Sequence, residues 1–472
     1  MSAWGKSGAP EPGAPAGALR MAMAGSGATA APCLARILIL SEDKSRSREL
    51  SQFFRRQGYA TFAGDFSVGG RKLACDEHPD LALIDGGKAP EKACKLAAAL
   101  IEAEAGHFPV VLLAQNSSPA LRRSCVAAGI DDLVTEPASE TMLLSRLRPL
   151  VRLAIMNSEL QQRLATACRL GIEIPPAQAA READESRRVL IAAGQAANLS
   201  EIASALGREY EIDQASDVFH AAAMLRENPF DALVVAIEGN AEDALYLCGQ
   251  IRNNTRLFNL PVLLLVDRGG FGSLDEAYRH GASAVALRPL DKDELQTTIE
   301  FLVRRQKLRT AIRGQLAEIQ AKAGGSEVGG VYRRKFLLAH LDRLTAAAGA
   351  ARKHLSLVSF QIQNLGPVVR EFGAEAADDL LRQVADWILA LVRVEDMVAR
   401  HGDKEFCVVL PDTAIEDAQV VAHRISGVLL NTQFAVPGSD IPIGVWLQSG
   451  CADFRSDDTA ASLIARAHQN LS

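Results

Sequence analysis

The chain has 472 residues, with 51 Lys and Arg against 57 Asp and Glu and a net charge of −6. That length predicts about three domains of ordinary size, and the acidic balance argues against a general nucleic-acid binder, whose domain would be strongly basic. The eight cysteines form no C-x-x-C pair and no zinc-like cluster, which predicts a reducing, cytoplasmic setting.

Residues 1–33 are rich in Gly, Ala and Pro and lack the apolar run of a signal peptide, so they are expected to be a disordered lead. No stretch reaches the roughly 18 uninterrupted apolar residues of a membrane span, and no membrane insertion is expected.

Residues 34–155 open with Arg36-Ile-Leu-Ile-Leu40, a buried-strand run ended by Ser41-Glu42-Asp43. Further strands are Pro79-Asp-Leu-Ala-Leu-Ile-Asp85 and Pro109-Val-Val-Leu-Leu113, with helix-length stretches rich in Ala, Leu and charge between them. Continuous apolar strands alternating with helices predict a parallel sheet covered on both faces. Acids at the strand ends would gather at the carboxyl edge, where α/β sheets bind ligands. The unit resembles response-regulator receiver domains. That family holds magnesium with an acidic pair after strand one and accepts phosphate on an Asp after strand three. It also uses a Ser or Thr after strand four and a Lys before Pro after strand five. Asp85 matches the phosphoacceptor, but Ser41-Glu42 keeps one acid of the pair, Ala114 replaces the hydroxyl and Glu136 replaces the lysine. Phosphoryl transfer depends on positive charge around the moving group, so Asp85 is expected to contribute little to output.

Leu150 to Leu170 reads as a long helix, broken by Gly171 to Pro176, and residues 156–185 are expected to be a helical linker. Residues 186–305 repeat the first plan. Arg188-Val-Leu-Ile-Ala192, Phe230-Asp-Ala-Leu-Val-Val235 and Pro261-Val-Leu-Leu-Leu-Val266 are its strands, and Gly281 to Pro289 echoes Gly129 to Pro137. Such an internal repeat predicts a duplicated fold. The second copy has Ala236 at the phosphoacceptor position, Ala193-Gly194 at the acidic pair and Arg288 at the lysine. It resembles a receiver that serves as a dimerisation adaptor, which implies a homodimer through receiver domains. A charged helix, Phe301 to Ile319, lies across the end of this unit and the connecting segment 306–326, which closes at Gly324-Gly325.

Residues 327–472 carry the strand Leu355 to Ile362, a helix with the apolar face Leu380, Leu381, Val384, Trp387, Ile388 and Leu391, and the strand Cys407 to Leu410. Between that helix and strand lies Arg393-Val-Glu-Asp-Met-Val-Ala-Arg400-His-Gly-Asp-Lys-Glu-Phe406, an Arg–Asp pair followed by a polar, hairpin-like turn. The unit resembles the GGDEF (diguanylate cyclase) domain along its length. The signature Gly-Gly-Asp/Glu-Glu-Phe stands here as Gly402-Asp403-Lys404-Glu405-Phe406. Asp403 replaces the small residue that lets guanine approach, and Lys404 replaces an acid that holds metal in the family. Gln361 stands at the other metal-binding acid, Val369 at a substrate-contacting Asn and Ala374 at a conserved His, while Asp378 and Glu405 are kept. Magnesium takes hard, anionic oxygens, so no catalytic metal and no enzyme activity are expected.

The resemblance also implies an inhibitory product site whose Arg-x-x-Asp begins nine positions before the first signature Gly, as Arg393 and Asp396 do. Arg424 matches a further family arginine, and Arg400 is a possible neighbour. Arginine can fork onto a phosphate or a guanine edge, and a carboxylate can accept guanine N–H donors. The pattern alone is weak: it recurs at Arg181/Asp184, Arg400/Asp403 and Arg455/Asp458. His340, His354, His401, His423 and His468 show no ligand-like spacing and are expected to be surface or structural.

The expected architecture is α/β throughout: two (βα)5 receiver domains, each a doubly wound parallel sheet, then a degenerate GGDEF domain with a mixed central sheet. This PleD-type layout resembles the PopA-like cell-cycle regulators of alphaproteobacteria. The resemblance implies a non-catalytic receptor for cyclic di-GMP, recruitment to a cell pole and a protein adaptor of a protease pathway as partner. A weak or conditional diguanylate cyclase and a scaffold without nucleotide are the alternative readings.

Overall fold

A computed structural model describes residues 32–103, 108–175, 186–237, 241–267, 273–324 and 329–472. Most of the expected disordered lead, and residues 176–185 of the expected linker, lie outside the described residues.

The first sheet joins β1 (Arg36–Ser41), β2 (Ala60–Gly64), β3 (Leu81–Asp85), β4 (Val110–Ala114) and β5 (Asp132–Thr135) in the order β2-β1-β3-β4-β5. All neighbours are parallel. Successive residues of β1 and β3 feed opposite apolar layers, Leu38 and Ile84 on one side, Ile39 and Leu83 on the other. Burial on both faces is what a continuous apolar run requires. The covering helices are α1 (Lys44–Arg56), α2 (Val68–Glu77), α3 (Pro90–Glu102), α4 (Pro119–Ala127) and α5 (Glu140–Arg169).

The second sheet repeats the topology with β6 (Arg188–Ala192), β7 (Glu211–Ala215), β8 (Ala232–Ala236), β9 (Val262–Asp267) and β10 (Ala284–Arg288), in the order β10-β9-β8-β6-β7. Its helices are α6 (Ala196–Leu206), α7 (Val218–Glu227), α8 (Glu242–Asn253), α9 (Leu274–Arg279) and α10 (Lys292–Ala323). The helix expected over 301–319 is therefore the far end of α10, whose 32 residues continue out of the second unit without a break.

The two sheets' units pack through α4 and α5 against α9 and α10. Arg122 pairs with Asp291 at 2.8 Å and Arg123 with Asp293 at 2.9 Å, while Phe301 of α10 is buried in the first unit's apolar layer. The two receiver-like units are thereby joined within one chain through charged and apolar contacts.

The third sheet is mixed. Its order is β11 (Tyr332–Arg333), β13 (Met397–Gly402), β14 (Glu405–Pro411), β12 (Leu355–Ile362), β17 (Leu447–Asp453). β12 runs antiparallel to β14 and β17, and β11 runs parallel to β13. β15 (Gln433–Phe434) and β16 (Ile443–Gly444) form a small separate ribbon. On one face lie α11 (Arg334–Ala351) and α14 (Ala460–Gln469); on the other lie α12 (Leu365–Leu391) and α13 (Ile415–Leu430). Gly373 interrupts α12 with φ +89°, a conformation only glycine adopts without strain.

The long α5 completes this third core. Leu153, Met156, Leu160 and Ala167 join Phe336, Leu337 and Leu341 of α11 in one apolar cluster. No helix among the described residues is long and apolar enough to cross a membrane.

Candidate functional site

α12 ends at Leu391, and the chain turns through 392–396 into β13. In that corner the backbone N–H of Arg393 donates to Asp396 Oδ2 at 2.8 Å. The Arg393 side chain is exposed, whereas Asp396 is 6% exposed. Asp396 Oδ1 is buried with no hydrogen-bond partner among the described residues. Burial, then the neighbouring Glu395 charge, pushes this carboxyl up to about 7. Arg424, exposed on α13, donates from Nη2 to the carbonyl of Leu391 at 2.8 Å. The structure therefore brings Arg393, Asp396 and Arg424 to one corner. Arg400 points elsewhere, donating to the carbonyls of Gly402 at 3.1 Å and Asp403 at 2.9 Å. It braces the hairpin turn.

Glu395, between the pair, ties this corner to the linker helix. Its carbonyl accepts from Arg163 Nη2 at 2.7 Å, and its carboxylate meets Arg152 Nε at 3.2 Å. Arg163 also holds Glu159 at 2.7 Å and lies over the Tyr332 ring, and Glu159 meets His340 Nε2 at 2.9 Å. Burial would raise the Glu159 carboxyl, but the His340 and Arg163 charges prevail and hold it below the usual range. Sequence reasoning missed this network. Glu159 and Arg163 sit four apart on a helix, the spacing of an ordinary solvated pair, and only the docking of α11 buries them. Arg152 also leads into a cavity of about 370 Å³ lined by Arg148, Arg252, Arg305 and Arg309. Burial, then the nearby Arg152 charge, lowers Arg309 to about 10.

The signature forms the β13–β14 hairpin. Gln361 is the register partner of Glu405, and the Ile362 N–H donates to the Lys404 carbonyl at 2.9 Å, so positions 361 and 404 are adjacent. Gln361 Oε1 accepts from Gln363, which also reaches Gln448 at 2.7 Å. A neutral amide and an ammonium do not supply the anionic oxygens magnesium takes, so these two side chains do not fit that ion. Val369, Ala374 and Asp378 are exposed on α12, and Asp403 and Lys404 are exposed at the turn. Glu405 is buried, accepts from Ser359 Oγ at 2.8 Å, and contacts His401 Nδ1 at 2.9 Å and His468 Nε2. Burial opposes its charge, but the His401 and Ser359 hydrogen bonds hold its carboxyl below the usual range.

At the first sheet's carboxyl edge, Asp85 is buried and accepts from Ser41 Oγ at 2.8 Å and the Gly87 N–H at 3.1 Å. Asp43, the nearby acid, spends Oδ1 capping α1 through the Ser45 N–H at 2.8 Å. Glu136 pairs with Arg46, and both line the same cavity as Asp85. An arginine from α1 thus returns a positive charge to the edge that lost its lysine. In the second unit, Ala236 ends β8 at the corresponding place.

Residues 327–472 match the family model described as diguanylate cyclase, GGDEF domain. The chain is 26% identical over 441 residues to response regulator PleD of Caulobacter vibrioides, covering 93% of this chain and 96% of that protein. It is 24% identical over 177 residues to diguanylate cyclase DgcP of Pseudomonas aeruginosa, which is 38% of this chain and 26% of that protein. The FimX GGDEF domain structure from Pseudomonas aeruginosa is 25% identical over 31% of this chain and 91% of that one, with a TM-score of 0.29. The layout is therefore that of a PleD-like response regulator: two parallel five-stranded α/β units followed by a GGDEF domain with a mixed sheet.

One expectation is corrected here. The chain was expected not to be an enzyme, but the GGDEF match over 327–472 and the likeness to PleD point to an enzyme of the diguanylate cyclase type. The substitutions at 403 and 404 lie on the β13–β14 hairpin and that at 361 on the adjacent β12, and the strands, their register and Glu405 all remain. Side-chain changes at a few positions do not set the class of a domain.

Proposed function

We propose that this diguanylate cyclase-type response regulator binds cyclic di-GMP at the α12–β13 corner, through Arg393, Asp396 and Arg424. The supporting observation is Asp396: a buried carboxylate with one oxygen unpartnered, beside an exposed arginine. An unmet buried acceptor costs about 1–3 kcal/mol, and guanine N–H donors would recover that. Arg393 and Arg424 suit the dinucleotide's phosphates, and Glu395 links the same corner to α5. Occupancy would thereby be felt by the receiver units.

Calorimetry on the full chain tests this directly. Arg393→Ala should lose a forked contact of about 2–3 kcal/mol, or roughly 30- to 150-fold in affinity. No heat with the unaltered chain, or equal affinity in the variant, defeats the assignment.

Affinity should also depend on pH with a definite sign. Asp396 faces Glu395, Arg393 and Arg163, and its raised value near 7 leaves it largely protonated at pH 6. The neutral form donates where guanine also donates. Cyclic di-GMP should therefore bind about tenfold more weakly at pH 6 than at pH 8, while Asp396→Asn binds weakly with a flat profile. A wild-type affinity that does not change over this range would contradict the role given to Asp396.

A further inference from the structure

His401, Glu405 and His468 meet on the α14 side of the third sheet, at the base of the signature hairpin. One ligand atom from each lies within 4.8 Å of those of the other two. The chain places them there by rigid means. Arg400 pairs with Phe406 and Gly402 with Glu405, so His401 is the extra residue of a β-bulge. A bulge re-aims the side chain it inserts, and here it turns His401 onto Glu405. His468 comes from α14, which a Thr459–Ser462 capping box starts and which Leu463 and Ala467 anchor in the core. Ser359, on the neighbouring β12, donates its hydroxyl to Glu405 and orients the carboxylate.

We infer that these three residues form a binding site for a divalent transition metal of the zinc class, with a fourth position open to solvent. Two imidazoles and one carboxylate are the ligand set of zinc sites that keep an open position. Imidazole favours zinc, copper, iron and nickel, whereas magnesium and calcium take oxygen ligands. The imidazoles keep side-chain exposures of 15% for His401 and 33% for His468, which provides an entry path and room for the fourth ligand. Without metal, the imidazoles hydrogen-bond to Glu405. A cation takes the place of those protons, and each neutral imidazole then carries its one proton on the ring nitrogen turned away from the metal. The fixed Ser359 hydroxyl is the outer-shell partner that metal-bound carboxylates use. Because Glu405 belongs to the signature, metal here would tie the state of the hairpin to transition-metal supply. The inference stands whether or not cyclic di-GMP binds at Arg393.

The test uses full-length protein stripped with a chelator and titrated with cobalt(II) alone, followed by visible absorption. The expected result is one cobalt per chain with the intense bands of a four-coordinate ion, displaced by zinc but not by excess magnesium. His468→Ala and His401→Gln should each weaken binding about 100-fold or more, and Glu405→Gln should remove the four-coordinate spectrum. His423→Ala, at an exposed histidine on α13, should bind as the unaltered chain does. Absence of cobalt bands in the unaltered protein overturns the site, as does unchanged affinity in His468→Ala. Far-UV circular dichroism confirms that each variant is folded, and Glu405→Gln, which keeps side-chain shape, carries the test if a histidine variant is not.

Discussion

Arg163→Met lowers the stability of the assembled protein by about 3–5 kcal/mol, the cost of breaking one side of a buried ion pair. Arg163 is 1% exposed and holds three elements at once: Glu159 on its own helix, the Glu395 carbonyl before β13, and the Tyr332 ring at β11. Met keeps the volume, so packing of α5 against α11 survives while the charge is removed. Glu159 is left with His340 as its buried partner. In a urea titration, the transition reporting the third unit should move to lower denaturant, and Arg163→Lys should fall between the two, since an ammonium keeps the charge but loses the fork. An unchanged midpoint would mean that the linker helix is held by its apolar face alone. If cyclic di-GMP binds at the corner, the same variant should also weaken the link between ligand and receiver units, because Glu395 directly precedes Asp396.

Restoring the signature should have the largest effect on chemistry. A chain carrying Gln361→Asp, Asp403→Gly and Lys404→Asp together should convert GTP about 10²- to 10³-fold faster than the starting chain in magnesium. That is the usual worth of one electrostatic element aimed at a reacting phosphate. The physical basis is local. Position 361, in β12, lies beside 404, in the turn before β14, so two carboxylates would face one ion where a neutral amide and an ammonium now stand. Gly at 403 would reopen the approach for guanine that an Asp side chain narrows. Each single change should give much less than the triple, since one carboxylate beside Lys404 pairs with it instead of binding metal. No gain in the folded triple variant would place the determinant of turnover elsewhere, with Val369 and Ala374 on α12 as the next positions to restore.

Much of the site's frame was legible because it depends on short-range rules. The strand expected over Leu355 to Ile362 is β12 as observed, since eight mostly apolar residues bounded by polar ones have few other uses. The expected hairpin at Gly402 to Phe406 forms, and Arg393, Asp396 and Arg424 share one corner. Between Gly329 and Phe336 a two-residue edge strand, Tyr332 and Arg333, comes immediately before α11 begins at Arg334. Tyr332 there lies under the Arg163 guanidinium, in the ion network beneath the linker helix.

Other features were out of reach for identifiable reasons. His401 and Glu405 are four apart and His468 is 63 positions further on, a spacing that announces nothing until a bulge and a helix anchor converge. Asp43 looks like a spare acid beside Ser41-Glu42 but is committed to a helix cap. Arg46 replaces the positive charge missing at Glu136 from a different element altogether.

Residue pattern alone determined the duplicated parallel sheets and the Arg–Asp pair ahead of a hairpin-like turn in Arg393 to Phe406, because periodicity and turn chemistry act over a few residues; the mixed third sheet was implied by the resemblance to the GGDEF domain. The tertiary structure decided which charges are buried, which side chains share a cavity and how the third unit is tied to the receivers. Those properties depend on what packs against a residue from far along the chain. Asp396 shows the difference: its position was readable, but the neutral form it favours near pH 6 exists only because folding buries it beside Glu395.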